Sequence, residues 1–79
     1  MNVVGVKKCD GTSKDGYQFD GYNIYYTDQM LDSEKQLGCY AARFYIPSHK
    51  VDKPFSLVGH DINVIYNRFG KAEAIEVIA

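Results

Sequence analysis

Stacking on a nucleobase requires an exposed aromatic ring, worth about 1–3 kcal/mol per base, and holding its phosphate requires a cation close by. The chain offers both at regular spacing. Tyr17, Phe19 and Tyr25 fall at odd positions of one segment, and Arg43 and Tyr45 stand two positions apart on another. Residues two apart on a strand share a face. Lys14 sits in a Gly- and Asp-rich loop, and Arg68 and Lys71 flank a second turn, so all three can border the rings. Taken singly, each Tyr reads as a half-buried β residue with its hydroxyl in water, and each Lys as a solubilising charge. Together, Lys14, Tyr17, Phe19, Tyr25, Arg43, Tyr45, Arg68 and Lys71 make a candidate surface for single-stranded DNA or RNA. Tyr17, Tyr25 and Tyr45 are expected to stack, and Lys14, Arg43 and Arg68 to meet phosphates.

Catalytic chemistry finds no comparable support. His49 and His60 lie in or beside loops and belong to no ligand-spaced cluster. Cys9 and Cys39 are too few for a disulfide framework or a closed zinc site, and read as two thiols in or near the core. No local signature pairs either with a His as a nucleophile. Most Asp residues fall in turns, where their side chains bond the local backbone. Asp28, Asp32 and Glu34 read as a solvated acidic patch. Gly11 and Gly16 have turn spacing with no helix following, so they do not form a phosphate-cradling loop. The expectation is a non-enzymatic chain with no cofactor and no metal.

A chain of 79 residues closes one core, so residues 1–79 read as a single domain. A net charge of −1 excludes strong polyanion binding through bulk charge but leaves room for a local basic groove. Asp10, Asp15, Asp20, Asp28, Asp32 and Glu34 lie close in sequence to the proposed groove and count against it. A small domain presenting Tyr, Phe and Arg at balanced charge also suits a protein interface, which is the alternative reading. Pairing of two copies through a free strand edge is compatible with both. No apolar run approaches the ~18 residues of a membrane span, and the first residues lack the charged-then-apolar order of a signal peptide. A cytoplasmic protein without membrane association is expected.

Seven Gly spread along the chain, with seven Tyr and abundant Val and Ile, describe short strands joined by tight turns. The first run, 2–9, breaks into a loop at 10–16. The second, 17–27, carries Gly21 at its middle, which predicts a bulge or bend. Residues 28–37 are polar and predict an excursion or a turn of helix, capped by Asp28 or Asp32, with Met30, Leu31 and Leu37 as anchors. The third strand runs from Cys39 to Ile46 and stops at Pro47. Tyr40, Ala42, Phe44 and Ile46 form its expected core face. Residues 55–60 read as a short edge segment or turn. The last two strands, 61–68 and 71–78, are joined by a turn in which Gly70 takes positive φ. Their inward residues are expected at Ile62, Val64 and Tyr66, then Ala74 or Ile75, Val77 and Ile78. Five strands in this order predict an all-β, five-stranded antiparallel OB-type barrel, with an SH3-like barrel as alternative.

The Ser13-Lys14-Asp15-Gly16 loop leading into Tyr17-x-Phe19-x-Gly21-Tyr22-x-Ile24-Tyr25 resembles the first hairpin of small OB-type single-stranded DNA-binding proteins. These are the gene-V-like proteins of filamentous phages and their counterparts on plasmids and conjugative elements. The closing run from Val58 to Lys71 is similar to the last hairpin of small proteins of that kind. The resemblance covers most of the chain loosely, and the near-zero charge departs from it. It implies a small β-barrel that binds single strands for a phage or mobile element.

Overall fold

The computed structural model describes residues 1–30 and 33–79. It contains β1 (Asn2–Thr12), β2 (Gln18–Gln29), β3 (Cys39–Pro47), two 3-10 turns (Ser48–Lys50 and Pro54–Leu57), β4 (Ile62–Tyr66) and β5 (Ala72–Val77). β1, β2 and β3 form an antiparallel meander, and β4 and β5 form a separate hairpin. The chain is all-β as expected, but the five-stranded OB-type barrel and its SH3-like alternative are both corrected, because the two sheets do not close. One isolated bridge, Asn2 to Asp61, links β1 to the approach to β4. β3 and β5 belong to different sheets.

Strand length explains the open form. β1 and β2 run for 11 and 12 residues, whereas β4 and β5 run for 5 and 6. The short hairpin covers one end of the long ribbon, and the other end leaves the body as an arm in which residues 10–20 are all exposed. The radius of gyration is accordingly 14.2 Å, against about 11.6 Å for a compact chain of this length. No helix among the described residues is long and apolar enough to cross a membrane.

The core forms where the two sheets overlap. Val3, Ile24 and Ile46 on the meander meet Leu57 from the second 3-10 turn and Ile62, Val64 and Ala72 from the hairpin. Backbone bonds fasten this end: the Val3 amide donates to His60 O at 2.9 Å, Gly59 N to Val3 O at 2.8 Å and Ile62 N to Met1 O at 2.7 Å. Ile46, Ile62 and Val64 point inward as expected. Tyr66 does not and is 49% exposed, because a register shift between Ile65 and Tyr66 breaks the alternation. Val77 and Ile78 are also exposed, and the buried residue of β5 is Ala72. Tyr40 lies past the covered end of β3 and is exposed.

Other local expectations are corrected too. Gly21 carries no bulge: it pairs in regular register with Cys9 and Pro47, and the irregularity of β1 falls between Val3 and Gly5. Asp10, Gly11 and Thr12 continue β1 and pair with Asp20, Phe19 and Gln18. Among the described residues no helical turn follows β2. The strand itself takes in Asp28 and Gln29, Met30 N donates to Gly38 O at 2.9 Å, and Ser33 bridges to Gln36. Leu37 is 82% exposed and anchors nothing. Leu31 and Asp32 lie outside the described residues. Of the two readings for 55–60 the structure shows the turn: Pro54–Leu57 coil as a 3-10 turn, with Pro54 at its first position, where a fixed φ and a missing N–H cost nothing. The final turn is as expected: Gly70 has φ 77°. Asn67 Oδ1 accepts from the amides of Phe69 at 2.9 Å and Lys71 at 3.1 Å.

Candidate functional site

Pairing across the meander sorts its side chains into rows. Lys7, Asn23 and Tyr45 form one row, Gly5, Tyr25 and Arg43 the next, and Gly11 with Phe19 a third toward the arm. All lie on the sheet face opposite the core, since the alternate positions Val6, Tyr22, Ile24, Phe44 and Ile46 pack inward. Tyr25, Arg43, Tyr45 and Phe19 are thus brought together on one open face. Lys7 joins them, a residue the sequence reading passed over. The signal for it was the period-2 pattern of β1, but which half of that pattern faced outward depended on the register with β2.

Each ring on this face leans over a glycine of the adjacent strand. Tyr25 lies over Gly5, Phe19 over Gly11 and Tyr45 over Gly21. A ring across a strand glycine recovers packing that the missing side chain forfeits, and its far side stays open. At Gly5 an added Cβ would find the Tyr25 ring at 3.8 Å, an ordinary contact. At Gly21 it would collide with the Ile46 carbonyl oxygen and the Tyr45 ring. Gly21→Ala is therefore expected to destabilise the fold by about 1–3 kcal/mol. Gly5→Ala should stay within about 0.5 kcal/mol of the parent in urea unfolding.

Charge divides between the two faces. Among the described residues, Lys7 and Arg43 are the charged side chains on the open face, and neither pairs with a carboxylate. Asp10, Asp20 and Asp28 sit at even positions on the inner face. There Lys8 pairs with Asp20 and stands 4.7 Å above the Tyr22 ring. The Lys8 ammonium, then the Ser48 hydroxyl, hold the Asp20 carboxyl below the usual carboxylate range. Asp28 accepts from the Met1 α-ammonium at 3.0 Å and from the Tyr40 hydroxyl at 3.1 Å. Both hold its carboxyl down, the ammonium first. Asp10, Asp20 and Asp28, three of the six acids that counted against the groove, are therefore on the far side of the sheet. Sequence proximity misled because alternate residues on a strand point to opposite faces.

The remaining predicted residues lie elsewhere. Lys14 and Tyr17 are at the arm tip, where the Ser13 amide donates to Tyr17 O at 2.7 Å and the Tyr17 amide to Ser13 Oγ at 3.2 Å. Tyr17 is 75% exposed. Eight residues separate it from Tyr25, a span of about 27 Å in an extended strand. Arg68 stacks on its neighbour Phe69, 4.9 Å from the ring centroid. Lys71 lines a cleft beside β3 that Tyr45 also lines. The set is therefore one central face (Phe19, Tyr25, Arg43, Tyr45) with Lys71 at its edge, and two outlying tips.

Cys9 is half-buried and Cys39 exposed, both free, so Cys39 is not the core thiol expected. His60 Nδ1 lies 3.0 Å from Ala79 O. Among the described residues no three His, Cys, Asp or Glu side chains cluster as a metal site. No family model, no curated protein and no solved structure matches this chain.

Proposed function

We propose that the open face of the β1–β2–β3 meander binds single-stranded nucleic acid without base preference. Bases stack on Tyr25 and Tyr45, with Phe19 extending the path toward the arm, and Lys7 and Arg43 contact phosphates. The reading is supported by one observation above the rest: strand alternation places the rings and two unpaired cations on one face and the neighbouring carboxylates on the other. A face with that segregation needs no excess of total charge, so a net charge of −1 is compatible with it. The role also suits the likeness of segments 13–25 and 58–71 to single-strand binders of phages and mobile elements.

The test is fluorescence anisotropy of a labelled oligothymidine at 50 mM and then 200 mM salt. Micromolar or tighter binding that weakens with salt is expected. Arg43→Ala should weaken binding to every sequence alike and reduce the salt slope by about 0.7. Absence of binding at 50 mM salt would overturn the proposal in favour of the protein-interface alternative, for which exposed Tyr, Phe and Arg are equally suited.

A further inference from the structure

Because the sheets do not close, a seam remains between β3 and the β4–β5 hairpin. It opens into a cleft of about 460 Å³, within the range of small-ligand sites. Its walls are Phe44, Tyr45, Pro47 and Tyr66, and its rim carries Lys50 and Lys71. Lys50 Nζ is 2.7 Å from Glu73 Oε2, whereas Lys71 has no carboxylate partner among the described residues. The Asn67 side chain is tied to the turn, with Nδ2 donating to Glu73 at 3.3 Å and Oδ1 accepting from the Phe69 and Lys71 amides. Two ammonium groups against one carboxylate leave the rim with a surplus of one positive charge. That surplus balances one phosphodiester, which carries a single negative charge; a terminal phosphate, nearly doubly charged at neutral pH, would stay under-compensated.

The geometry points to this cleft as a subsite for one nucleotide within a strand: a base enters against Tyr66 and Phe44, and its adjoining phosphodiester pairs with Lys71. Tyr45 belongs to both the open face and the cleft wall, so a strand crossing the face arrives at the cleft without a gap. The inference rests on the open-face reading for the path of the strand. It goes beyond that reading in assigning a distinct cleft and a ligand charge.

The experiment titrates isotope-labelled protein with the dinucleotide thymidylyl-thymidine at 50 mM salt and follows amide resonances. In parallel, oligothymidine anisotropy is measured on Tyr66→Ala, Tyr66→Phe and Lys71→Ala. All three substitutions are at exposed positions, and the parent-like spectrum of each checks its fold. Expected are shifts at Tyr66, Gly70, Lys71 and Ala72, and an affinity for oligothymidine about tenfold lower in Tyr66→Ala. Tyr66→Phe should restore that affinity, and Lys71→Ala should lower the salt slope by about 0.7. Shifts confined to the outer faces of β2 and β3, with Tyr66→Ala and Lys71→Ala binding like the parent, would overturn the subsite and leave the open face standing. Shifts at the cleft, with oligothymidine affinity indifferent to Arg43→Ala, would remove the open face and keep the subsite. A spectrum unmoved throughout would remove both.

Discussion

Replacing Lys7 and Arg43 together with Glu is expected to cut oligothymidine affinity by at least about sixtyfold at 50 mM salt while leaving the unfolding transition in place. Each phosphate contact to a single strand contributes a salt exponent of about 0.7, so at 50 mM relative to 1 M salt it is worth 20 raised to that power, about eightfold. Two contacts multiply to about sixtyfold, and the new carboxylates add repulsion. The salt slope should fall by about 1.4 at the same time. Stability is spared because both side chains are exposed and form no ion pair. Arg43→Lys, which keeps the charge but not the planar fork, should stay near the parent if the contact is electrostatic. An unaltered affinity in the double variant would show that any binding uses another surface.

Ile24→Ala is expected to have the largest effect on folding. Ile24 is fully buried at the centre of the middle strand, paired with Val6 on one side and Phe44 on the other, and its side chain faces the hairpin. Truncating a buried Ile to Ala costs about 2–5 kcal/mol, since the cavity left behind collapses only in part. A chain of 79 residues has roughly 4–12 kcal/mol in total. The variant should therefore have lost much or all of its cooperative unfolding transition in urea. Ile24→Val keeps most of the volume, so it should cost about 1 kcal/mol and lower the thermal midpoint by about 4–8 °C. A full transition in Ile24→Ala would mean that the seven-residue core is not what holds the sheets together.

The strands were legible because β-branched and aromatic residues mark them, and the Asn67–Gly70 turn because Asn and Gly supply its chemistry. The arm was not. Asp10-Gly11-Thr12 has the composition of a loop, and only cross-strand pairing with 18–20 makes it strand, a tertiary effect that overrides propensity. Barrel closure was likewise out of reach, since it depends on the relative lengths of elements far apart in the chain. Within the site, alternation put Tyr25 on one face of β2 and Arg43 with Tyr45 on one face of β3, while it is the β2–β3 register that brings Tyr25 level with Arg43. The same alternation already put Tyr22, Ile24 and Tyr26 on one face, and Asp20 and Asp28 share their parity. The sorting of acids away from the rings could have been read from that pattern. Lys7 could not, because the strand register that brings it level with Tyr45 is not a local property.

The arm formed by the ends of β1 and β2 has a kinetic consequence. Its ladder bonds are flanked by water on both faces and connect to none of the seven buried hydrophobic residues among those described. Opening them exposes little apolar surface, so their amide protons should exchange with solvent through local fraying, at rates almost independent of added denaturant. Amides of Val3, Ile24 and Ile46 should exchange only with global unfolding. One continuous pair of strands would then show two exchange regimes, with the boundary near Cys9 and Gly21, and the distal half would be free to bend toward whatever the open face holds without loosening the core.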